Sequence, residues 1–152
     1  MTLLEHSPSH ERTWPLFHTD SGPHLLCSWY RPPCHGGTDS IAPLQAELEE
    51  HRRHGIRTIV MIDANVHNAR WLKHSGGSSV EGIELRNKCY DLNLVQRATT
   101  PTRGNHPLDF VLTDIPSLKT FVELAIAHHR IVVARSEVST PSKAVGERAV
   151  LD

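Results

Sequence analysis

The residues from Ile56 to Ile62 limit the possible folds of this chain more than any other segment. The run is almost continuously apolar and β-branched, which is typical of a central strand buried on both faces of a sheet. Such a strand needs neighbours beside it and layers above and below it. Asp63 follows directly, so we expect its carboxylate to be held at the edge of that sheet.

Further strand-like and helical segments surround this run. The pattern predicts strands at residues 14–17, 25–30, 94–98, 108–113, 121–124 and 130–134. It predicts one helix from a cap at Asp39 or Ser40 to Gly55, with Ile41, Leu44 and Leu48 buried, and a second helix over about 80–92, with Ile83, Leu85, Cys89 and Leu92 as its apolar positions. Strands mixed with two helices indicate an α+β layered sandwich.

Composition limits the class of protein. At 152 residues the chain fits one domain, and its 16 basic and 17 acidic residues give a net charge of −1. A protein that holds nucleic acid mainly through phosphate contacts is normally more basic, so the balance argues against a free-standing nucleic-acid binder. Three cysteines without a CxxC pair favour a reducing, intracellular compartment. We expect no signal peptide and no membrane span.

Four motifs in order place polar side chains at the ends of apolar runs. They are Trp29-Tyr30-Arg31-Pro32-Pro33, Ile62-Asp63-Ala64-Asn65-Val66-His67, Pro107-Leu108-Asp109-Phe110-Val111-Leu112-Thr113-Asp114 and Ile126-Ala127-His128-His129. Residues i and i+2 of a strand point to the same side, so Asp63 and Asn65 can act on one group. Taken alone, Asp63 and Asn65 also fit a capped turn, and Tyr30 fits simple packing at a strand end.

In this order the motifs resemble the endonuclease/exonuclease/phosphatase family, especially the endonuclease domain of non-LTR (LINE-type) retrotransposons. The resemblance covers residues 14–133. It implies a DNase I-like fold, here an incomplete four-layer-type β-sandwich with flanking helices. It also implies hydrolysis of nucleic-acid phosphodiesters with Mg²⁺ (or Mn²⁺), DNA as the ancestral substrate, and a fused or separate reverse transcriptase as a partner.

The resemblance also implies a role for each site residue. Asp63 orients or deprotonates the attacking water, while Asn65 and Tyr30 bind the phosphate. Asp109 supports the catalytic histidine or ligates the metal, and His129 is that histidine, which stabilises developing charge. Arg103 either reaches a phosphate or is a solvated arginine in a turn.

The chain departs from the family pattern in two places. His128 stands where the family has an aspartate, and loss of comparable aspartate support in serine proteases lowers the rate by roughly 10⁴. The family's early asparagine and metal-ligating glutamate have no counterpart before Tyr30, so we expect an N-terminally truncated domain with Asp109 as its best remaining metal ligand. Three hypotheses stay open: an impaired phosphodiesterase, a non-catalytic remnant that acts as a binding or interaction module, or a pseudogene-like reading frame whose product never accumulates.

The sequence also suggests a division of the chain and one alternative site. We expect a disordered lead-in at residues 1–13, the partial endonuclease domain at 14–134 and a polar tail at 135–152. His51 and His54, three residues apart on a helix, could clip Zn²⁺ with Cys34 or His35. The same histidines equally suit the negative end of a helix dipole.

Overall fold

A mixed six-stranded sheet forms the centre of the computed structural model, which describes residues 2–7, 11–33, 37–72, 75–126 and 129–136. Its strands, in chain order, are β1 (Thr2–Ser7), β2 (Arg12–Thr19), β3 (Gly22–Tyr30), β4 (Arg57–Asp63), β5 (Val95–Gln96) and β6 (Asp109–Thr113). They lie in the order β1-β2-β3-β4-β6-β5. Only β3 and β4 run parallel, because α1 (Leu44–His51) crosses over between them.

Two helices cover one face of this sheet. α1 contributes Leu44 and Leu48, and α2 (Val80–Asp91) contributes Leu85 and Cys89. These side chains pack in one buried cluster with residues from the sheet, which are Trp14, Leu25, Cys27, Trp29, Val60, Ile62, Phe110 and Leu112. The predicted burial of Ile41, Leu44 and Leu48 is confirmed, although Ile41 lies in the turns before α1.

A two-stranded hairpin lies over part of the opposite face. It consists of β7 (Lys119–Ile126) and β8 (His129–Arg135), paired antiparallel. Its residues Val132 and Ala134 pack with Ile59 and Val111 of the large sheet in a second, smaller cluster. The described chain therefore has three layers, namely helices, a large sheet and a small sheet, and the predicted α+β class is confirmed.

The structure corrects four details of the sequence prediction. Residues Thr2–Ser7 form β1, and β2 already begins at Arg12, where a disordered lead-in was expected. α1 begins only at Leu44, after a series of turns, and ends at His51 rather than near Gly55. Ile83 is 48% exposed, so it does not join the apolar face of α2. The tail at 137–152 lies outside the described residues.

The fourth correction concerns β4, which was predicted to be buried on both faces. Its burial alternates instead: Thr58, Val60 and Ile62 are buried, while Ile59, Met61 and Asp63 are half-buried. Among the described residues, apolar side chains of the hairpin pack against β4 at Ile59. The apolar run of β4 is therefore covered by the helices on one face and only partly covered on the other, within the described residues.

A buried ion pair joins β2 to α1 beneath the core. Arg12 is fully buried and donates to both carboxylate oxygens of Glu47, at 2.9 and 2.7 Å. The Nε1 of Trp14 donates to the same carboxylate at 2.9 Å, and the Arg12 guanidinium lies 4.5 Å from the ring centroid of Trp29. Because every charge here has a close partner, burial of the pair is tolerated.

Among the helices of the described residues, none combines the length and apolarity that a membrane crossing requires.

Candidate active site

Three adjacent strands bring the predicted polar residues into one row. The register pairs Tyr30 at the end of β3 with Asp63 at the end of β4, and Asp63 with Asp109 at the start of β6. Directly opposed residues on antiparallel strands have Cβ atoms about 4.5–5.5 Å apart. The carboxylates of Asp63 and Asp109 therefore lie side by side at one end of these central strands. Tyr30, which is 46% exposed, lies next to them.

This row borders a cavity of about 290 Å³ on the face of the sheet that the helices leave open. Asp63, Asp109 and Arg130 supply the charged groups of its lining, and Met61 and Val132 supply apolar wall. Two carboxylates and one guanidinium give the cavity a net charge of −1. A cation is therefore attracted here, and a phosphate group enters favourably only together with one.

Asn65 holds the carboxylate of Asp63 in place. Its backbone is left-handed, with φ of 46°, a conformation that asparagine adopts more readily than most residues. Its Nδ2 donates to Asp63 Oδ1 at 3.0 Å and to the carbonyl of Arg31 at 2.9 Å. Both amide hydrogens are thus engaged within the protein, so Asn65 positions Asp63 in this structure, and its contact with phosphate stays a prediction.

The buried side chain of Arg31 holds together the chain segments next to Asp63. Its buried guanidinium donates to the carbonyls of Ala64 at 3.3 Å and Gly37 at 2.8 Å, and its backbone N–H donates to the carbonyl of Asp63 at 2.9 Å. Burial lowers the pKa of Arg31 below its ordinary value, and the negative charge of Glu81 opposes that shift. Arg31 therefore shapes the site from within the fold.

The segment after Asn65 is held tightly against α2. Asn68 is buried, donates to the carbonyl of Gly82 at 3.1 Å and accepts from the backbone N–H of Trp71 at 3.0 Å. A Cβ added at Gly82 would lie 1.9 Å from the carbonyl oxygen of His67. Glycine at position 82 is thus what allows this close approach of α2 to the segment after Asn65.

A second cavity, of about 490 Å³, opens beside Asn65. Arg103, Gly104 and His106 line it together with His67. The rings of His67 and His106 meet edge to face, with centroids 5.8 Å apart. Arg103 and His106 pair in a tight turn, and the exposed Arg103 lines the same cavity as Asn65. The structure brings Arg103 to the site, while its contact with phosphate remains a prediction.

Thr102 joins the start of β8 to the start of β6. Its carbonyl accepts from the N–H of Arg130 at 2.9 Å, and its Oγ1 accepts from the N–H groups of Leu108 and Asp109, each at 3.2 Å. The backbone of His129 begins β8 and therefore lies at this junction. The side chain of His129, and all of His128, lie outside the described residues.

Two carboxylates suit a divalent cation only in part. Mg²⁺ prefers oxygen ligands in an octahedron and is commonly held by one or two carboxylates with substrate phosphate and water. Asp63 and Asp109 fit that donor chemistry. In the part of the chain that the structure describes, no three His, Cys, Asp or Glu side chains form a metal-binding group. The zinc alternative at His51 and His54 gains no support, and its proposed partners at 34 and 35 lie outside the described residues.

Three residues of this region were missed by the sequence reasoning: His67, His106 and Arg130. His67 lies at position i+4 from Asp63 and His106 at i−3 from Asp109, so their closeness in sequence to predicted residues was a usable signal. Arg130 follows the predicted His129 directly. Its alternation on β8 with Val132, which packs on the sheet, indicates that it faces the same side.

The fold and the site together define a class. The α+β sandwich gathers two aspartates, an asparagine and a tyrosine at the ends of adjacent strands, as the family resemblance implied. The family model described as endonuclease-reverse transcriptase matches residues 24–136, which is more than half of the chain, and the chain therefore belongs to that family. That family is of nuclease and phosphodiesterase type, as the motifs predicted.

Solved structures show the same fold. The endonuclease domain of TRAS1, a telomere-specific non-LTR retrotransposon, matches with a TM-score of 0.68 at 13% identity, over 93% of this chain and 69% of that one. The mannosyl-6-phosphatase Bt3783 of Bacteroides thetaiotaomicron VPI-5482 matches with a TM-score of 0.52 at 15% identity, over 82% of this chain and 55% of that one. The DNase I-like fold is thereby confirmed. No curated protein matches the sequence significantly.

Proposed function

We propose that this chain hydrolyses nucleic-acid phosphodiesters with the help of Mg²⁺ or Mn²⁺, at a reduced rate. The observation that carries the proposal is the row of Tyr30, Asp63 and Asp109 across three strands, beside a cavity of net negative charge. Two opposed carboxylates at a rigid sheet edge are an arrangement that the fold itself does not need, since like charges opposite each other are destabilising.

Each residue has a role that its position supports. Asp63 accepts a proton from the attacking water, and Asn65 holds Asp63 in the orientation for that task. Tyr30 and Arg103 bind phosphate oxygens from either side, and His129 offsets the charge that develops on the phosphorus centre. Arg130, in the same cavity as both aspartates, adds a positive charge close to the phosphate.

Asp109, with Asp63 beside it, would hold a divalent cation, which would supply charge stabilisation for the leaving oxygen. The reduced rate follows from His128, which brings no negative charge to orient and support the imidazole of His129. We propose further that the domain acts with a reverse transcriptase, in the same or in a separate chain, and that DNA is the substrate.

A second function, that of a non-catalytic binding module, is favoured by one observation. The described residues offer two carboxylates but no third metal-binding side chain. If the cation binds too weakly, the same cavities retain nucleic acid without cutting it. This reading predicts metal-independent binding and no cleavage.

Nicking of supercoiled plasmid DNA decides between the two functions. We expect slow nicking with Mg²⁺ or Mn²⁺, none with EDTA, and a rate lowered roughly 10²–10⁴-fold by Asp63→Ala. Asp20→Ala removes an exposed carboxylate from the turn at the other end of the sheet and should leave the rate unchanged. Equal nicking by the wild type and the Asp63 variant would mean a contaminating nuclease and would refute the proposal.

A further inference from the structure

A third cavity, separate from the two described above, lies at the end of the large sheet opposite the candidate active site. It has a volume of about 560 Å³, and the segment that joins α1 to β4 forms most of its wall. Its charged and polar lining consists of Arg52, Arg53, His54, Arg57, Asp114 and Ser21. We call it the arginine cleft. β4 begins here at Arg57 and ends at Asp63, so the two sites are separated by about 20 Å, six steps of about 3.3 Å each.

The charge balance of the arginine cleft is positive, although that of the whole chain is −1. Its one carboxylate, that of Asp114, is engaged by Arg52 at 2.7 Å and by the backbone N–H of Thr58 at 2.8 Å. Within the described ranges, Arg53 and Arg57 are exposed and form no ion pair. Three guanidinium groups against one carboxylate leave a charge of +2 with His54 neutral.

The cleft is also rigidly built. The Arg52 guanidinium donates to the carbonyl of Leu92 at 2.9 Å as well as to Asp114, so α2 and the end of β6 both hold it. Gly55 turns the chain with φ of 82°, and the N–H of Ile56 closes the turn on the carbonyl of Arg53 at 3.1 Å. The cationic groups therefore extend from a fixed backbone.

Cations after a helix usually compensate the negative end of its dipole, within the last turn. That explanation suits Arg52 and Arg53, which directly follow α1. It does not account for Arg57, which belongs to β4, or for the hydroxyl of Ser21 from the turn between β2 and β3. Polar side chains from three separate elements thus line one cleft. Apart from Asp114, which is already paired with Arg52, each of them carries a positive charge or can donate a hydrogen bond.

We propose that the arginine cleft binds phosphate groups of a nucleic-acid strand, at a contact separate from the candidate active site. Guanidinium groups bind phosphate through paired hydrogen bonds, and an exposed cleft at the rim of the domain can accept a continuous backbone. A strand held there and a phosphodiester at Asp63 lie at opposite ends of β4. The cleft thus retains nucleic acid without taking part in the chemistry, and it goes beyond the proposed function.

Fluorescence anisotropy of labelled oligonucleotides in EDTA, measured over a range of salt, tests this contact. The variants are Arg53→Gln/Arg57→Gln and, as a matched control, Arg86→Gln/Lys119→Gln, which removes two exposed charges elsewhere. Each phosphate contact contributes about 0.7–0.9 to the slope of log affinity against log salt. We expect the cleft variant to lower that slope by about 1–2, and the control variant to leave it unchanged.

A further variant and a second ligand distinguish the remaining outcomes of this experiment. Arg53→Lys/Arg57→Lys keeps the charges and should restore the salt slope, which shows that loss of folding is not the cause in the glutamine variant. Equal losses in the cleft and control variants, or no oligonucleotide binding by the wild type, would overturn the proposal. Arginine-dependent binding of pyrophosphate without arginine-dependent binding of oligonucleotides would overturn it too, because the ligand would then be a small phosphate ester. EDTA keeps each result independent of cleavage.

Discussion

The two faces of β4 differ in what covers them and in what their residues can do. On the helix side, Val60 and Ile62 are buried in a continuous core under α1 and α2. On the other side, Ile59 packs against the β7–β8 hairpin, while Met61 and Asp63 are half-buried and border a cavity. Alternate residues of β4 thus stabilise the core, while the residues between them stay accessible to a bound substrate. Sites of this kind arise where a rigid, well-packed layer supports an incompletely covered one.

The charged groups on the two faces show the same difference. Beneath the helices, Arg12 and Glu47 neutralise each other with two hydrogen bonds. On the open face, Asp63 and Asp109 are opposed like charges, and Asn65 donates to Asp63. The first arrangement stabilises the fold, and the second can be stabilised further by a bound cation.

The largest expected effect is a loss of cleavage on the open face. Asp109→Asn should lower phosphodiester hydrolysis roughly 10²–10⁴-fold, because it removes one of two carboxylates that hold the cation. The free energy of unfolding should change by less than about 1 kcal/mol, because relief of repulsion between opposed like charges offsets lost hydrogen bonding. Plasmid nicking and urea unfolding measure the two quantities. Full activity in Asp109→Asn would remove this residue from the site.

The core face should show the reverse behaviour. Glu47→Gln leaves the fully buried guanidinium of Arg12 without its counter-charge, and the free energy of unfolding should fall by about 3–5 kcal/mol. Glu50→Gln, at an exposed position of the same helix, should change it by less than about 0.5 kcal/mol. Urea unfolding of both variants is the measurement. Similar small effects would show that the buried pair contributes little.

Neighbouring residues of β4 allow a direct comparison of the faces. Ile62→Ala leaves a cavity in the closed core and should lower the free energy of unfolding by about 2–5 kcal/mol. Met61→Ala removes a half-buried side chain and should lower it by less than about 1.5 kcal/mol. Thermal and urea unfolding provide the values. Equal losses would indicate that the open face is covered in solution, for example by a second copy of the chain.

The smallest expected effect is a dependence of stability on pH from the core cysteines. Burial raises the pKa of the Cys89 thiol to about 12, and it raises that of Cys27 as well. A raised pKa means that the folded thiol stays neutral while the unfolded one ionises. Stability from these groups is therefore complete below the unfolded pKa of about 8.5 and declines as the pH rises above it.

A variant isolates the Cys89 contribution. From pH 7 to 9.5, the wild type should lose about 1.4 kcal/mol more of its free energy of unfolding than Cys89→Val does. Denaturant unfolding at the two pH values gives this double difference, in which the titration of other groups cancels. An identical decline in both proteins would mean that the thiol is accessible to solvent.

Local patterns predicted the helix-side core well. The burial of Leu44 and Leu48, which are spaced four residues apart on α1, was confirmed, because burial on a regular element follows its period. The errors fall where burial depends on a distant layer. The composition of β4 could not reveal that only part of its second face is covered, and the polar residues of β1 pair with β2 through backbone bonds that do not depend on side-chain type.

The sequence by itself determined the central strand, the apolar stripe of α1 and the class of fold, because each follows from neighbours a few positions away. It predicted Tyr30, Asp63 and Asp109 as site residues through the resemblance of its ordered motifs to a family. Only the tertiary structure decided that those three residues stand in one row, since strand order and register join segments far apart in sequence. It also placed Arg130 in the same cavity and gathered the arginine cleft. Contacts of this kind depend on how separate elements meet, which no local pattern encodes.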